Sequence, residues 1–585
     1  MLQSFMFILT YTAAILGVLL IKKNDEKHHL GVWAGLSILT IACLHTMLAG
    51  IFTLSYFIPT NLLTLGIANV IVAAVCFRHI YKTKEIQKLV VDWCDIVFFI
   101  LLLIVVYIFW QMQYGPNFNI HYLAVDPTAH MKHAMFTYDN DSVYGMFYAA
   151  LQNAILFDLF TPILTEGHFY IAYIVGDLLY LVLAGMMFWA VIRKYMTNTF
   201  LKLAGIALSF IYLLGYPLNS TIFGFAYFGM GITIISYLIT VVEMYVCKDI
   251  SKWFGIVLMS LGCFGIFVSY VMFMPIVFFS ILFVILIKQH QEKQLISWDT
   301  VLTGLGTFLL PTIMGLYFIF SGTFIHGHTA ESIMVIEGGI YRDLFTNFIL
   351  IVPFGLYAFI QLIKEKKNSV LIFLTVLGIG YTLWMFVKVL NGTSSSYYFF
   401  KNYYFLWLLG GVLVYLCLQY LDNAAKTITS IGFVLWGMIA VVGVFNLEIA
   451  IQNKVPLLVL SQKGGILCDI YMFNRDGMCT LEYSKAKTDL YTYVCDEIYP
   501  NDDTDVPIVG TWEDYQWMTG VTHHDTEPNY WHWNVGEEVF MTTLKENAKY
   551  VIVLGGNDLY HNNEEYFESL ERVYSNEAGF VARVK

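Results

Sequence analysis

Charge is what this 585-residue sequence has least of. Asp, Glu, Lys and Arg make up 13% of it, against roughly 25% in an ordinary soluble domain. Its net charge of −11 offers no basic patch for phosphate backbones, which excludes a nucleic-acid binder. There is no CxxC or Cys/His cluster for structural zinc, no GxGxxG turn or P-loop, no internal repeat of fixed period and no low-complexity segment. What is abundant is apolar: hydrophobic residues reach 58% and the mean hydropathy is +0.66. A chain this apolar is neither a soluble enzyme nor disordered. Its solvent is lipid.

A bilayer-spanning helix needs about 20 mainly apolar residues. Fourteen stretches qualify: 2–21, 30–50, 60–77, 94–112, 168–192, 203–218, 222–246, 253–269, 271–287, 300–321, 346–363, 369–390, 402–420 and 428–449. The pair at 253–287 requires a tight turn between Tyr270 and Pro275. Alternate loops carry the basic residues, among them Lys22, Lys23, Lys82, Lys84, Lys194, Lys248, Lys252, Lys288 and Lys426. The opposite loops hold almost none, Lys132, Arg342 and Lys401 excepted. Because cytoplasmic loops are the Lys/Arg-rich ones, the pattern predicts a multi-pass cell-membrane protein with both termini extracytoplasmic. The first apolar run lacks a preceding basic residue and is too long for a cleaved signal peptide.

Composition changes near residue 450. Residues 450–585 hold 10 Lys and Arg against 22 Asp and Glu, net −12, leaving the first 449 residues at 22 against 21. The expected organisation is a three-helix membrane unit over 1–90, a transmembrane core over 91–449 and a water-facing domain over 450–585. In the last, 505–511 and 549–555 read as short buried strands and 484–499 and 560–573 as helices, giving a small α/β layer domain. The fold class is therefore an all-α polytopic membrane protein of about fourteen transmembrane helices with a small C-terminal α/β extracytoplasmic domain. Six of nine cysteines lie in or beside apolar runs as packing residues. Cys468 and Cys479 are close enough in sequence to pair. The stretch 511–533 is dense in Trp and His, side chains whose faces suit sugar rings or membrane interfaces, and His523-His524-Asp525 is a weak metal motif.

The longest loop of the membrane part, 113–167, falls on the side with few basic residues. Within it, Asp126 followed by Pro127 reads as a helix start, with Asp at the N-cap and Pro at the first helical position. Asp126, His130 and His133 are spaced i, i+4, i+7 and so share one face. Asp126 is either a cap or a carboxylate at the membrane surface that takes a proton from an acceptor hydroxyl. His130 and His133 are packing residues or, with a nearby carboxylate, weak ligands for a divalent metal. Residues 143–160 suggest a helix lying in the interface.

Other candidates lie on the same side. Arg342 is a donor fork suited to phosphate, or it pairs with its acidic neighbours. Lys401, in a Tyr-rich stretch with Tyr397, can meet a lipid phosphate as a point charge, or it snorkels within an aromatic belt. Lys388 lies inside the twelfth span near its outer end, and Asp177 and Glu243 also fall within spans, where ionisable residues have partners or functions.

Taken together, several spans, a long outer loop with an acidic residue and then a His, interfacial helices, a helical bundle and a small outer α/β domain resemble the integral-membrane glycosyltransferases of the GT-C fold. Bacterial members that build cell-envelope polysaccharides are the nearest in kind. The motif Asp126-Pro127-x-x-His130 is similar to the Asp/Glu-then-His pattern of their first outer loop, and the stretch around Tyr397 and Lys401 resembles their Tyr-rich, Lys-Asn segment. The resemblance spans roughly residues 91–585. Pro127 stands where the family has the second of two adjacent acidic residues. The resemblance implies transfer of a sugar from a polyprenyl-phosphate donor to a glycan or lipid-linked acceptor. Asp126 would be catalytic, and His130, Arg342, Lys388, Lys401 and Tyr397 would bind substrate. Membrane lipid is a further partner, nucleic acid is not, and a divalent metal is a possible cofactor. A transporter or flippase of lipid-linked glycans would instead have paired, Gly/Pro-broken inverted repeats, which the sequence does not display. A polysaccharide polymerase shares the large outer loop but not the C-terminal α/β domain.

Overall fold

In the computed structural model, the described residues are 1–24, 27–292, 297–326, 334–349, 351–365, 369–445, 465–480, 483–502, 504–526 and 532–585. The apolar runs fold as helices because lipid offers no partner for backbone N–H and C=O groups, and a helix satisfies them internally. In chain order these are α1 (Leu2–Leu20), α2 (Leu30–Ser55), α3 (Leu62–Thr83), α4 (Trp93–Gln113), α5 (Asp126–Asn140), α6 (Tyr148–Phe160), α7 (Phe169–Arg193), α8 (Thr199–Leu214) and α9 (Tyr216–Ile222). Then follow α10 (Ala226–Cys247), α11 (Lys252–Ser269), α12 (Met274–Gln291), α13 (Trp298–His326), α14 (Ile351–Glu365), α15 (Ser369–Leu390), α16 (Ser396–Tyr420), α17 (Asn423–Phe445) and α18 (Gly465–Thr480).

Among the described residues, thirteen helical segments are long and apolar enough to cross a bilayer. The expected span at 346–363 corresponds to α14, which has 15 residues, shorter than the roughly 20 a crossing requires. Between α11 and α12 the tight turn is present: Tyr270 is extended, Val271–Phe273 make one 3-10 turn, and Pro275 sits in the first turn of α12. A Pro there loses no helical bond.

The bundle has two ends. One bears α5, α6 and the starts of α10 and α16, and is called the loop face. The opposite end carries the α10–α11 connection and a two-stranded parallel ribbon, β1 (His28–His29) beside β2 (Leu89–Val90). There a buried network ties the start of α4 to the end of α7. Arg193 donates to Asp95 at 2.7 Å and to Asp92 at 3.2 Å, and Trp189 Nε1 donates to Asp95 at 3.0 Å. Glu243, flagged within a span, ends here as the partner of Lys194 and Tyr195.

Helix α18 seats against α9. Asn474 donates to the carbonyls of Leu214 and Gly215 at 2.8 and 2.9 Å, and Tyr471 donates to that of Ile211 at 3.0 Å. The following segment forms a four-stranded sheet in the order β3 (Ile508–Val509), β4 (Tyr550–Leu554), β6 (Gly579–Arg583), β5 (Glu571–Asn576). The first pair is parallel and the others antiparallel. Its helices are α19 (Lys485–Tyr493), α20 (Trp512–Thr522), α21 (His532–Val535), α22 (Glu537–Asn547), α23 (Asp558–Asn562) and α24 (Glu564–Glu568). The helix expected over 560–573 is corrected: it breaks at Asn563, and residues 571–573 belong to β5. The hairpin β5–β6 escapes sequence reading because exposed Glu571 and Arg572 do not look like a strand. They are placed by pairing with β6. Possible pairing of Cys468 with Cys479 concerns side chains outside the described ones.

Candidate functional site

The site assembles on the loop face where α5, α10, α11 and α16 meet. Helix α5 starts close against the α9–α10 turn. Gly224, with φ +75°, forms that turn, and a Cβ on it would lie 2.1 Å from Pro127 Cγ. Only glycine combines that backbone conformation with that approach. Leu123 N bonds the Ile222 carbonyl at 2.9 Å, fixing the entry to α5.

Asp126 is the first helical residue, and Val125 occupies the cap position without a side-chain bond. The expectation of Asp126 as N-cap is thus corrected. The first turn is closed instead by Thr128, whose N–H and hydroxyl both reach the Val125 carbonyl, at 2.9 and 2.7 Å. Among the described residues the Asp126 carboxylate has no hydrogen bond and no ion pair. Its electrostatic neighbours are Lys401 and the hydroxyls of Tyr227, Tyr397 and Tyr398. Burial raises its carboxyl above the ordinary carboxylate value, and the Lys401 ammonium offsets part of that rise.

Lys401, in the second turn of α16, is 2% exposed. It does not snorkel. Its Nζ donates to the Tyr227 hydroxyl at 3.1 Å and lies 4.1 Å from the centroid of Tyr397. Phe225, Tyr227, Phe228, Tyr270 and Tyr398 surround it at 5.0 to 5.7 Å. Ring faces attract a cation within about 6 Å, yet among the described residues no carboxylate oxygen comes within the 4 Å of an ion pair. Sequence reading passed over Tyr227 and Phe228 and took Tyr270 only as a turn residue. Each lies at a span end, and their common position at the loop face was the available signal.

His130 packs on Tyr227 at 4.2 Å between centroids. Burial, reinforced by the charges of His133 and Lys401, pushes it down to about 3, so it is neutral at physiological pH. His133 instead accompanies Tyr144, with ring centroids 4.3 Å apart and its Nε2 3.1 Å from the Tyr144 carbonyl. Among the described residues no three His, Cys, Asp or Glu side chains gather as a metal-holding group. The rings of His130 and His133 diverge onto Tyr227 and Tyr144 and do not converge on a divalent metal. His523, His524 and Asp525 also diverge, to the Glu166 carbonyl, the Tyr499 ring and Lys132 respectively.

The remaining candidates lie outside this cage. Arg342 is half exposed and donates to Glu337 at 3.1 Å. Glu337 also accepts from Ser396 N at 3.0 Å, which ties the pair to the first residue of α16, next to Tyr397. Lys388 sits at the end of α15 over Trp384, 5.6 Å from its centroid. Asp177, fully buried, accepts from the Tyr122 hydroxyl at 2.8 Å and so anchors the loop.

The α/β domain rests on α5. A Cβ on Gly520 would lie 2.8 Å from Thr128 Cβ. Trp517 stacks on Tyr122 with centroids 5.8 Å apart and planes 19° apart, and Lys132 pairs with Asp525. Trp517 is buried and serves packing, whereas Trp512 is exposed. The side chains of Trp531, His532 and Trp533 lie outside the described ones.

No protein-family profile matches this sequence, and no curated protein matches it. Among solved structures it is similar to ArnT from Cupriavidus metallidurans bound to undecaprenyl phosphate, at 10% identity over 84% of this chain and 98% of that one, with a TM-score of 0.47. The archaeal oligosaccharyltransferase AglB from Archaeoglobus fulgidus, in complex with an inhibitory peptide and a dolichol-phosphate, is similar at 11% identity over 79% of this chain and 70% of that one, with a TM-score of 0.42.

Proposed function

We propose that this protein is a membrane glycosyltransferase of GT-C type. It moves a sugar from a polyprenyl-phosphate donor to a cell-envelope glycan or lipid-linked acceptor on the outer face of the membrane. One observation supports this above the others: a buried ammonium, Lys401, and a carboxylate, Asp126, that has no hydrogen bond among the described residues lie close together at a bundle end without closing on each other. A lipid-linked donor explains why such a site is set in a membrane bundle, since only its headgroup needs to leave the lipid.

In this reading Asp126 accepts the proton of the acceptor hydroxyl as its oxygen attacks the anomeric carbon. The bond from that carbon to the phosphate oxygen breaks, and its electron pair leaves with the polyprenyl phosphate. Lys401 and the Tyr227 hydroxyl meet the charge that grows on the departing phosphate, in surroundings where water does not weaken the attraction. Neutral His130 holds Tyr227 in place and adds no competing positive charge. Arg342 stands near the N-terminus of α16, where it can exchange Glu337 for a substrate anion. Lys388, Tyr397 and the outer orientation of the loop face complete the reading.

The test is turnover by the purified full-length protein in lipid discs, supplied with a radiolabelled sugar on polyprenyl phosphate and an extract of envelope glycan acceptors. Release of free polyprenyl phosphate matched by labelled acceptor is expected. Passage of intact lipid-linked sugar across vesicles, with no cleavage, would replace the transferase by a transporter.

A further inference from the structure

At the opposite end of the bundle from Lys401 lies a cavity of about 380 Å³, lined by Lys23, Lys248, Lys252, Lys288, Glu292 and Asp299. The size is within the range of small-ligand sites, about 300–1,000 Å³. Its two carboxylates are already engaged: Glu292 with Lys248 at 3.1 Å, and Asp299 with Lys252. The other two ammonium groups have no carboxylate partner among the described residues. Lys23 Nζ donates to the carbonyls of Val18 and Leu19, both at 2.7 Å. Lys288 Nζ donates to the Tyr245 carbonyl at 2.6 Å and sits 3.6 Å over the Tyr245 ring. An ammonium has three donors, so Lys23 retains one and Lys288 two.

Lys23 is 9% exposed and lies 4.1 Å over the Trp33 ring. Burial pushes it down to about 7. Lys248, Lys252 and Lys288 against two carboxylates leave the cavity with an excess of one positive charge, which becomes two when Lys23 is protonated. Lys23, the buried member, is costly to keep charged unless an anion joins it. Spare donors, the charge excess and the room point to the same ligand chemistry.

We infer that this cavity binds a phosphate group, separately from the loop-face site. Two sources supply that chemistry: the headgroup of an anionic phospholipid, to which basic pockets between transmembrane helices are suited, and free inorganic phosphate.

The test uses full-length protein carrying Lys401→Met, so that the loop-face site does not contribute. It is reconstituted in phosphatidylcholine discs and titrated calorimetrically with inorganic phosphate. In parallel, Tm is compared between discs of pure phosphatidylcholine and discs containing phosphatidylglycerol. Saturable phosphate binding without stabilisation by phosphatidylglycerol identifies free phosphate. Stabilisation by phosphatidylglycerol that also blocks phosphate identifies the lipid headgroup. Lys288→Gln is expected to weaken either by about 10-fold or more, as loss of a charged hydrogen bond does, while Lys288→Arg retains it. Lys82→Gln, an exposed change on the same bundle end, should leave it intact. Absence of both effects in the parent protein overturns the inference, as does equal weakening by Lys82→Gln. Should Lys288→Gln fail to fold, the parent titrations and the Arg variant decide.

Discussion

Two buried cations at opposite ends of one bundle are held in contrasting ways. Arg193 is 1% exposed and closed upon: Asp95 and Asp92 take its N–H groups, and Asp95 itself accepts from Trp189. Lys401 is equally hidden, yet among the described residues its partners are one tyrosine hydroxyl and a ring of aromatic faces. Asp126 remains nearby, without a hydrogen bond among the described residues. A closed pair is a joint, since the Nε and one Nη of Arg193 are already held by carboxylates. An open pair keeps its bonding capacity for something that arrives. Breaking a buried pair by removing one member leaves an uncompensated charge, at about 3–5 kcal/mol, whereas a buried cation that no carboxylate closes upon leaves no such bonded partner behind when it is removed.

The largest expected effect tests the open end. Asp126→Asn should lower turnover by roughly 10²- to 10⁴-fold, the range that a positioned general base contributes. Its Tm should barely move, because the carboxylate makes no bond in the described structure. Turnover near the parent rate would remove Asp126 as the base and turn attention to Asp139 and Asp158. Burial raises both of these to about 6.

The closed end comes next. Arg193→Met should destabilise the protein by about 3–5 kcal/mol, read by unfolding in detergent, while activity per folded molecule stays near the parent value. Lys401→Met should do the reverse. Stability should hold or rise, because a methionine suits an aromatic cage. The kcat/KM for the polyprenyl-phosphate donor should fall by roughly 10- to 100-fold, the equivalent of about 1.5–3 kcal/mol for a charged hydrogen bond. Equal loss of stability in the two variants would erase the contrast between joint and site.

The smallest effect is a pH profile. A base works deprotonated, so activity should fall as pH drops through the raised Asp126 value, above the 3.8 of an ordinary aspartate. The stability contribution has the opposite sign. A raised carboxyl favours the protonated folded state, so this group stabilises most below its unfolded value and less as pH rises through its folded value. The acid limb of the activity profile should be missing from the residual activity of Asp126→Asn.

The sequence legible at short range was the membrane architecture. A run such as 94–112 is a helix in lipid whatever its neighbours are, because its backbone must satisfy itself, and α4 spans Trp93–Gln113 accordingly. The Asp126-Pro127 dipeptide likewise marked the start of α5 to within one residue, although which residue caps it depended on how Thr128 folds back. The strand pair β5–β6 was not legible, since its register rests on partners rather than on its own apolar pattern.

For the candidate site, the sequence by itself determined that acidic, histidine, tyrosine and lysine residues stand at span ends on one side. Only the tertiary structure decided which of them meet. Asp126, His130, Tyr397 and Lys401 gather around Tyr227 and Tyr270, while Arg342 is tied to Glu337 and Lys388 rests on Trp384. The reason is that a span end is fixed along the membrane normal by local hydrophobicity, whereas its neighbours in the membrane plane follow from helix packing. That packing depends on close approaches such as Gly224 against Pro127 and Gly520 against Thr128, between residues far apart in the chain.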